Sequence, residues 1–271
     1  MRRLTLFPSL AILPLMALAL IFTMSSAAQA HFQMVYTPDM LKMGTMDFKI
    51  VFSHPAESGH VMTMQKPEAF YVIHKGKKKD LLDTLKPIKW TSSTNSAEAF
   101  ESTVKTRGGD YEFILVPAPY YEKSEDIYIQ QITKVITNGD GVPSDWNEAD
   151  GLKTEWVPYD RPYALYPGMT FRALLLSNGK PVANSEVEIE YMNYTPDMKN
   201  NKFAEKENIT PPSDHFITMV HFTDANGVLT FTPPFAGWWG FCALGSGPDK
   251  TFKGKELSQD AVIWIQATSP K

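Results

Sequence analysis

Residues 161–192 read RPYALYPGMTFRALLLSNGKPVANSEVEIEYM, and they show the pattern that decides the fold class. The pair Asn178-Gly179 separates two runs in which apolar and polar residues alternate or β-branched residues are frequent. Such runs are typical of half-buried strands, and Asn-Gly is the pair favoured in the tight turn of a hairpin. This segment therefore predicts a strand, a two-residue turn and another strand.

Similar strand-like runs continue on both sides, and no window of helical length shows an apolar stripe bounded by caps. Many short strands that follow one another closely along the sequence indicate β-sandwiches. Two prolines interrupt the pattern at VPYDRP, near residues 157–162. We therefore expect an all-β chain with two sandwich domains of immunoglobulin or prealbumin type, an N-terminal one over residues 31–157 and a C-terminal one over residues 158–271. The polar segment 196–214 is expected to be a surface loop.

Residues 1–30 have the pattern of a secretory signal peptide. Arg2 and Arg3 are followed by a long uncharged apolar run, and the segment ends in Ala-Gln-Ala at Ala30. These are the features of an export signal with a cleavage site, although the run is also long enough to span a bilayer. We expect export and cleavage after Ala30, with an uncleaved anchor as the alternative. The mature chain would then begin at His31 outside the cytoplasm, in the periplasm.

Composition removes several classes of function. The net charge of −4 shows no excess of basic residues of the kind that binds nucleic acid. A single Cys excludes a zinc or iron–sulfur site built from several cysteines. The sequence contains no G-x-S-x-G, no H-E-x-x-H and no P-loop. We therefore expect no catalytic residues, no resident cofactor and no enzymatic turnover.

Three histidines predict a metal site on the first domain. An N-terminal His31 would offer its α-amine and one imidazole nitrogen to the same ion. His54 and His60 flank a loop with Pro55 and Gly59, which can turn both imidazoles towards one point. Nitrogen donors suit Ni(II), Co(II), Cu(II) and Zn(II). The competing interpretation is that the two loop histidines are satisfied by backbone or water.

Methionines keep a copper alternative open. Six of them lie between residues 31 and 64, and thioethers are ligands for soft Cu(I). Met46, Met62 and Met64 fall inside strand patterns and are expected to fill the core. Met34 and Met40, together with Met43, remain candidate copper ligands.

Several segments together resemble a known family. They include HFQMVYTP after the signal, FSHPAESGHVMTMQKPEAFYV, the GKPV…VEIEY block, and TDANGVLTFTPPFAGWWGFCAL. Nearly the whole mature chain is similar to the periplasmic accessory component of bacterial nickel/cobalt uptake systems of the energy-coupling-factor type. The resemblance implies two β-sandwich domains, Ni(II) or Co(II) as bound cargo, and a membrane permease as partner. It also implies His31, His54 and His60 as ligands.

The leading hypothesis is therefore a periplasmic nickel- or cobalt-binding protein that serves a membrane uptake transporter. Contact with the membrane would come only through that partner or through an uncleaved signal anchor. Three alternatives stay open: a copper oxidase with a histidine brace acting on polysaccharide, a copper carrier that uses methionines, and an exported sandwich that binds nothing.

Overall fold

The computed structural model describes residues 31–270, and this part of the chain is all-β, as predicted. The first thirty residues, and with them the predicted signal peptide, lie outside the described residues. Two single-turn 3-10 helices are the helices of the described part, at Leu82–Thr84 and Asp214–Phe216. The strands within residues 31–270 are β1 (Phe32–Tyr36), β2 (Gly44–Ser53), β3 (Val61–Met62), β4 (Ala69–His74), β5 (Lys77–Asp80), β6 (Lys86–Thr91), β7 (Ser96–Thr106), β8 (Asp110–Val116), β9 (Tyr120–Glu122), β10 (Ile127–Asn138), β11 (Thr154–Pro158), β12 (Phe171–Ser177), β13 (Lys180–Pro181), β14 (Glu186–Tyr191), β15 (Pro196–Asp197), β16 (Lys202–Phe203), β17 (Thr218–Phe222), β18 (Val228–Phe231), β19 (Gly237–Ala243), β20 (Thr251–Phe252) and β21 (Lys255–Ala267).

The strands within residues 31–270 form three sheets. The N-terminal sheet has the order β1-β2-β7-β6-β16-β15, with β3 beside β2. The central sheet has the order β17-β14-β19-β21-β10-β8-β4-β5, with β20 and β9 at its margins. The C-terminal sheet contains β11, β12, β13 and β18. Because β10 pairs in parallel with β21, the central sheet is continuous between the two halves of the chain.

The central sheet packs against both other sheets, so its middle strands are buried on two faces. Along β19, Trp238 and Cys242 belong to the core shared with the N-terminal sheet. The alternate residues Trp239, Phe241 and Ala243 belong to the core shared with the C-terminal sheet. Successive side chains of a strand point to opposite faces, so one strand can serve both cores. The result is two β-sandwiches that share the central sheet.

The predicted hairpin at Asn178-Gly179 is confirmed. Leu176 faces Pro181 and Ser177 faces Lys180 across β12 and β13. Asn178 and Gly179 have φ values of 47° and 70°. Positive φ at both central positions is what a type I′ turn requires, and it matches the twist of the flanking strands.

Two strands, β17 and β18, lie within residues 215–234, but they are not partners of each other. β17 pairs with β14 in the central sheet, whereas β18 pairs with β12 in the C-terminal sheet. The turn between them is held by Asp224, whose carboxylate accepts from the backbone N–H groups of Asn226 at 2.7 Å and Val228 at 2.9 Å. The chain therefore changes sheets here.

Two features bear on the expected division of the chain. The boundary at residues 157/158 falls inside β11, which pairs with β12 of the C-terminal sheet. The segment 196–214, expected to be a loop, contains β15 and β16, and Lys202 of β16 faces Thr91 of β6. A segment of the second half thus completes the N-terminal sheet.

Between residues 31 and 270 there is no helix with the length and apolar character needed to cross a bilayer.

Candidate metal centre

Strand pairing brings His31 and His54 together. Phe32, the first residue of β1, lies opposite Ser53, the last residue of β2. In an antiparallel pair, the residue before one end is then opposite the residue after the other end. The rings of His31 and His54 accordingly lie with their centroids 4.5 Å apart and their planes inclined at 50°.

A buried amide fixes the start of β1. The Gln131 side chain donates from Nε2 to the carbonyl oxygen of His31 at 2.7 Å, and its Oε1 accepts from the backbone N–H of Gln33 at 2.7 Å. Gln131 is 3% exposed. One side chain on β10 therefore holds the backbone on both sides of Phe32, which limits how far His31 can move.

Glu122 is the third polar group of this site. Its Oε2 lies 3.3 Å from His31 Nε2, and the side chains are 13% and 16% exposed, respectively. Its Oε1 accepts from the backbone N–H of Ser124 at 2.9 Å and from the Ser124 hydroxyl at 2.5 Å. Partial burial raises the pKa of Glu122, but the Ser124 hydrogen bonds and the nearby His31 and His54 outweigh it and hold the pKa below its usual value. Glu122 is therefore a carboxylate at neutral pH.

Two aromatic side chains lie beside His31. The Phe52 and Tyr120 rings lie 5.6 Å and 6.5 Å from the His31 ring, and they contact each other edge-on at 5.5 Å. His54 is 4% exposed. The site is thus a partly buried cluster of polar side chains at one end of the N-terminal sheet.

The loop after β2 needs glycine next to His54. The His54 carbonyl accepts from the Gly59 N–H at 3.0 Å and from the Glu57 N–H at 3.3 Å, which closes a tight turn. A Cβ at Gly59 would lie 2.9 Å from the His54 Cβ, closer than side chains tolerate. The conformation that presents His54 therefore depends on residue 59 having no side chain.

His60 lies elsewhere on this loop. It is exposed, and its Nε2 is 3.4 Å from Asn95 Nδ2. Asn95 also accepts from the Val61 N–H at 2.8 Å and donates to the Val61 carbonyl at 2.9 Å. Of the three predicted ligands, the structure brings His31 and His54 into contact and directs His60 towards Asn95.

Sequence inspection did not identify Glu122. It lies in the polar stretch EKSED, where nothing distinguishes it from Glu125 or Asp126. Its role depends on β9 pairing with β10, with Glu122 opposite Ile127. That pairing could have been inferred only with the hairpin turn placed correctly.

The donor set is small. No group of three or more His, Cys, Asp or Glu side chains with metal-holding geometry occurs within residues 31–270. Two imidazoles supply nitrogen donors for a borderline divalent ion. A carboxylate 3.3 Å from one imidazole nitrogen has the position of the outer partners that orient histidine ligands.

Sulfur donors lie mostly in the core. Met34 and Met40 are 1% and 0% exposed and belong to the core beneath the N-terminal sheet, while Met43 is 57% exposed. Cys242 is fully buried, and burial raises its thiol pKa well above the usual value. The thiol is therefore protonated and sealed from solvent.

The chain belongs to a family described as a domain of unknown function, DUF4198, whose model matches residues 28–247. None of the curated proteins compared with the chain matches it. This assigns the family without assigning an activity.

Among solved structures, the chain is similar to several β-sandwich proteins at low identity. The D0-D1 domain of intimin is 13% identical, over 85% of this chain and 93% of that one, with a TM-score of 0.21. The adhesin InvE of Yersinia pseudotuberculosis is 12% identical over 83% and 55%, with a TM-score of 0.23. The ectodomain of mouse nectin-like molecule 4 is 9% identical over 88% and 64%, with a TM-score of 0.20. At these scores the likeness carries no weight for function.

Proposed function

We propose that this protein acts outside the cytoplasm, in the periplasm, as a binding and delivery protein for Ni(II) or Co(II), and that it serves a membrane nickel/cobalt permease without catalysing a reaction itself. One observation carries the proposal: His31 and His54 lie in ring contact beside the Glu122 carboxylate, although these residues come from three separate segments. The family resemblance of the sequence supports the same metals and partner.

The metal would be held by nitrogen atoms at the start of the mature chain. Cleavage after Ala30 creates an α-amine on His31, and the amine and Nδ1 of that residue can close a chelate ring on one ion. His54 supplies a further imidazole from the facing strand end. This set does not need three clustered side chains, because one of its donors is the main-chain amine.

Glu122 fits the chelate as an orienting group. If His31 binds the ion through Nδ1, its Nε2 carries the proton and donates to Glu122 Oε2, 3.3 Å away. Histidine ligands commonly donate their second N–H to a carboxylate, which fixes the tautomer and raises the basicity of the ligand. The depressed pKa of Glu122 keeps this acceptor charged at neutral pH.

Copper is the second candidate, since an amine and two imidazoles also suit Cu(II). A methionine-based Cu(I) carrier has weaker support, because Met34 and Met40 are packed in the core and would have to leave it. A copper oxidase acting on polysaccharide has weaker support too, because Trp238 and Trp239 are 5% and 1% exposed and provide no sugar-binding platform.

Competition titrations of the exported, correctly processed protein test the proposal. We expect Ni(II) or Co(II) to bind in a 1:1 complex, and His54→Ala to weaken that complex by at least about tenfold, or roughly 1.4 kcal/mol. His60→Ala is the matched control from the same loop and should leave the affinity unchanged. Equal affinities of wild type and the His54 variant would refute the proposed centre, and tighter retention of copper would favour the second candidate.

The delivery role needs a separate measurement. Uptake of radioactive nickel by cells that express the proposed partner permease should fall when the protein is removed. Wild-type protein should restore uptake, whereas the His54→Ala variant should not. Equal uptake with both proteins would contradict delivery through this centre.

A further inference from the structure

A second group of buried charges lies in the central sheet, away from His31. Lys134 of β10 is 1% exposed, and its Nζ lies 2.5 Å from Asp150 Oδ2, 2.9 Å from Glu155 Oε2 and 3.8 Å from Glu112 Oε2. The three carboxylate side chains are 3%, 1% and 0% exposed, respectively. Asp150 lies in an acidic loop, but its side chain is turned inwards onto Lys134.

The three acids differ in how they are held. Glu155 accepts from the backbone N–H groups of Asp150 at 2.8 Å, Gly151 at 2.9 Å and Leu152 at 3.1 Å. The main chain therefore fixes the position of the Glu155 carboxyl group. By contrast, neither oxygen of Glu112 has a hydrogen-bond partner among the described residues, and Oδ2 of Asp150 contacts Lys134 Nζ.

Glu112 is placed to hold a proton between the other two groups. It lies on β8 opposite Ile136 of β10, one pleat from Lys134 on the same face. Burial raises the pKa of Glu112 far above its usual range, and although Lys134 lowers it, the neighbouring Asp150 raises it further. Glu112 is thus a neutral acid beside a buried amine and a buried carboxylate.

Burying these groups has a large cost in free energy if they remain charged. Removing one ammonium group and two carboxylates from water costs several kcal/mol for each ion. Replacing one ammonium–carboxylate pair with a neutral amide would remove two of the buried charges. The buried contact itself supplies the proximity that favours such a condensation.

We propose that Lys134 and Asp150 are joined by an intramolecular isopeptide bond, formed with Glu112 as proton carrier. Proton transfer within the buried pair gives a neutral amine and a neutral carboxylic acid. The lone pair of Nζ then attacks Cγ of Asp150, Glu112 donates a proton to the departing oxygen and regains one from Nζ. One C–N bond forms, one C–O bond breaks, and one water molecule leaves. Nothing is oxidised or reduced.

The protein contains its own control contact. Lys153 Nζ lies 2.5 Å from Asp249 Oδ2, the same separation as in the buried pair, but these side chains are 58% and 42% exposed. Water stabilises both charges there. Distance alone would predict a bond at both places, whereas burial with a proton carrier predicts it only at Lys134.

A tryptic mass map of the folded, purified protein tests the bond. Lys134 and Asp150 both lie between the cleavage sites at Lys123 and Lys153, and Lys134 is the only internal site. Trypsin does not cleave after an acylated lysine. We expect one peptide, residues 124–153, lighter than its sequence by one water molecule. Separate peptides 124–134 and 135–153 at full mass would overturn the proposal.

A cyclic imide at Asp150-Gly151 would lose the same water, so cleavage after Lys134 is the deciding observation. Loss of water with normal cleavage there counts against the bond. Glu112→Gln should restore cleavage and full mass, and a bond that still forms in this variant would overturn the role of Glu112. The result for wild-type protein stands even if the variant fails to fold. Peptides ending at Lys153 and containing Asp249 should show no linkage.

Discussion

His31 and His54 face each other because Phe32 and Ser53 are paired at the ends of β1 and β2, which leaves the two rings 4.5 Å apart. Neither residue is near the other in the sequence, so the contact is a product of strand register.

Metal affinity should depend on pH in one direction. The α-amine and the imidazoles bind an ion only after losing their protons, and their ordinary pKa values lie at about 7.7–8.0 and about 6.5. We therefore expect the apparent affinity for Ni(II) to fall as the pH is lowered below about 7. Calorimetric titrations across the pH range would show it, and a flat profile would exclude amine and imidazole ligands.

Glu122→Gln should weaken metal binding without unfolding the protein. The amide keeps the size of the side chain but removes the charge that orients His31. Loss of an outer carboxylate of this kind typically costs about 10–100-fold in metal affinity. Glu125→Gln, a neighbouring acid in the same turn, is the matched control. The same affinity in both variants would mean that Glu122 has no orienting role.

Gly59→Ala should disturb the loop that presents His54. The added Cβ would lie 2.9 Å from the His54 Cβ, and neither atom is the end of a flexible chain. Overpacking of this kind costs about 1–3 kcal/mol. We expect a lower melting temperature and weaker metal binding, measured by thermal unfolding with and without Ni(II). Glu57→Ala, an exposed position in the same loop, should change neither.

Glu188 should make the protein less stable as the pH rises. Burial, with help from Asp260 and Glu186, raises the pKa of Glu188 to about 7. The unfolded chain ionises this group at lower pH than the folded protein does, so its charge opposes folding as the pH rises from about 4.5 through 7. We expect Glu188→Gln to be more stable than wild type at about pH 8, with no advantage at about pH 4. An equal difference at both values would contradict this assignment.

Lys134→Met should be strongly destabilising. The substitution removes the amine and with it the proposed bond to Asp150, so Asp150 and Glu155 are left buried without an opposite charge, and a loss of this kind costs about 3–5 kcal/mol. Lys153→Met removes an exposed partner and should change the free energy of unfolding by less than about 1 kcal/mol. Denaturant melts of both variants make the comparison. Similar small effects would show that the buried charges contribute little.

The fold class could be predicted because alternation and turn residues act locally. The Asn178-Gly179 hairpin needs only two residues with positive φ between two strands, and the structure contains it. Sheet membership could not be predicted in the same way. β17 and β18 are neighbours in sequence but join different sheets, because each strand is placed by distant partners.

The candidate site could be predicted only in part for the same reason. His31 and His54 carry a recognisable metal-binding chemistry, and the ends of two adjacent strands bring them together. Glu122 and Asp150 gave no such signal, since acids in polar loops are ordinarily solvated. Their burial depends on contacts made across the fold, with His31 and with Lys134.

The most direct measurement of the central claim is Ni(II) affinity after one alanine is added before His31 in the processed protein. The addition leaves every side chain in place and converts the His31 amine into a peptide nitrogen, which removes the chelate. We predict a loss of at least about tenfold in affinity, or roughly 1.4 kcal/mol. Unchanged affinity would contradict an N-terminal metal centre.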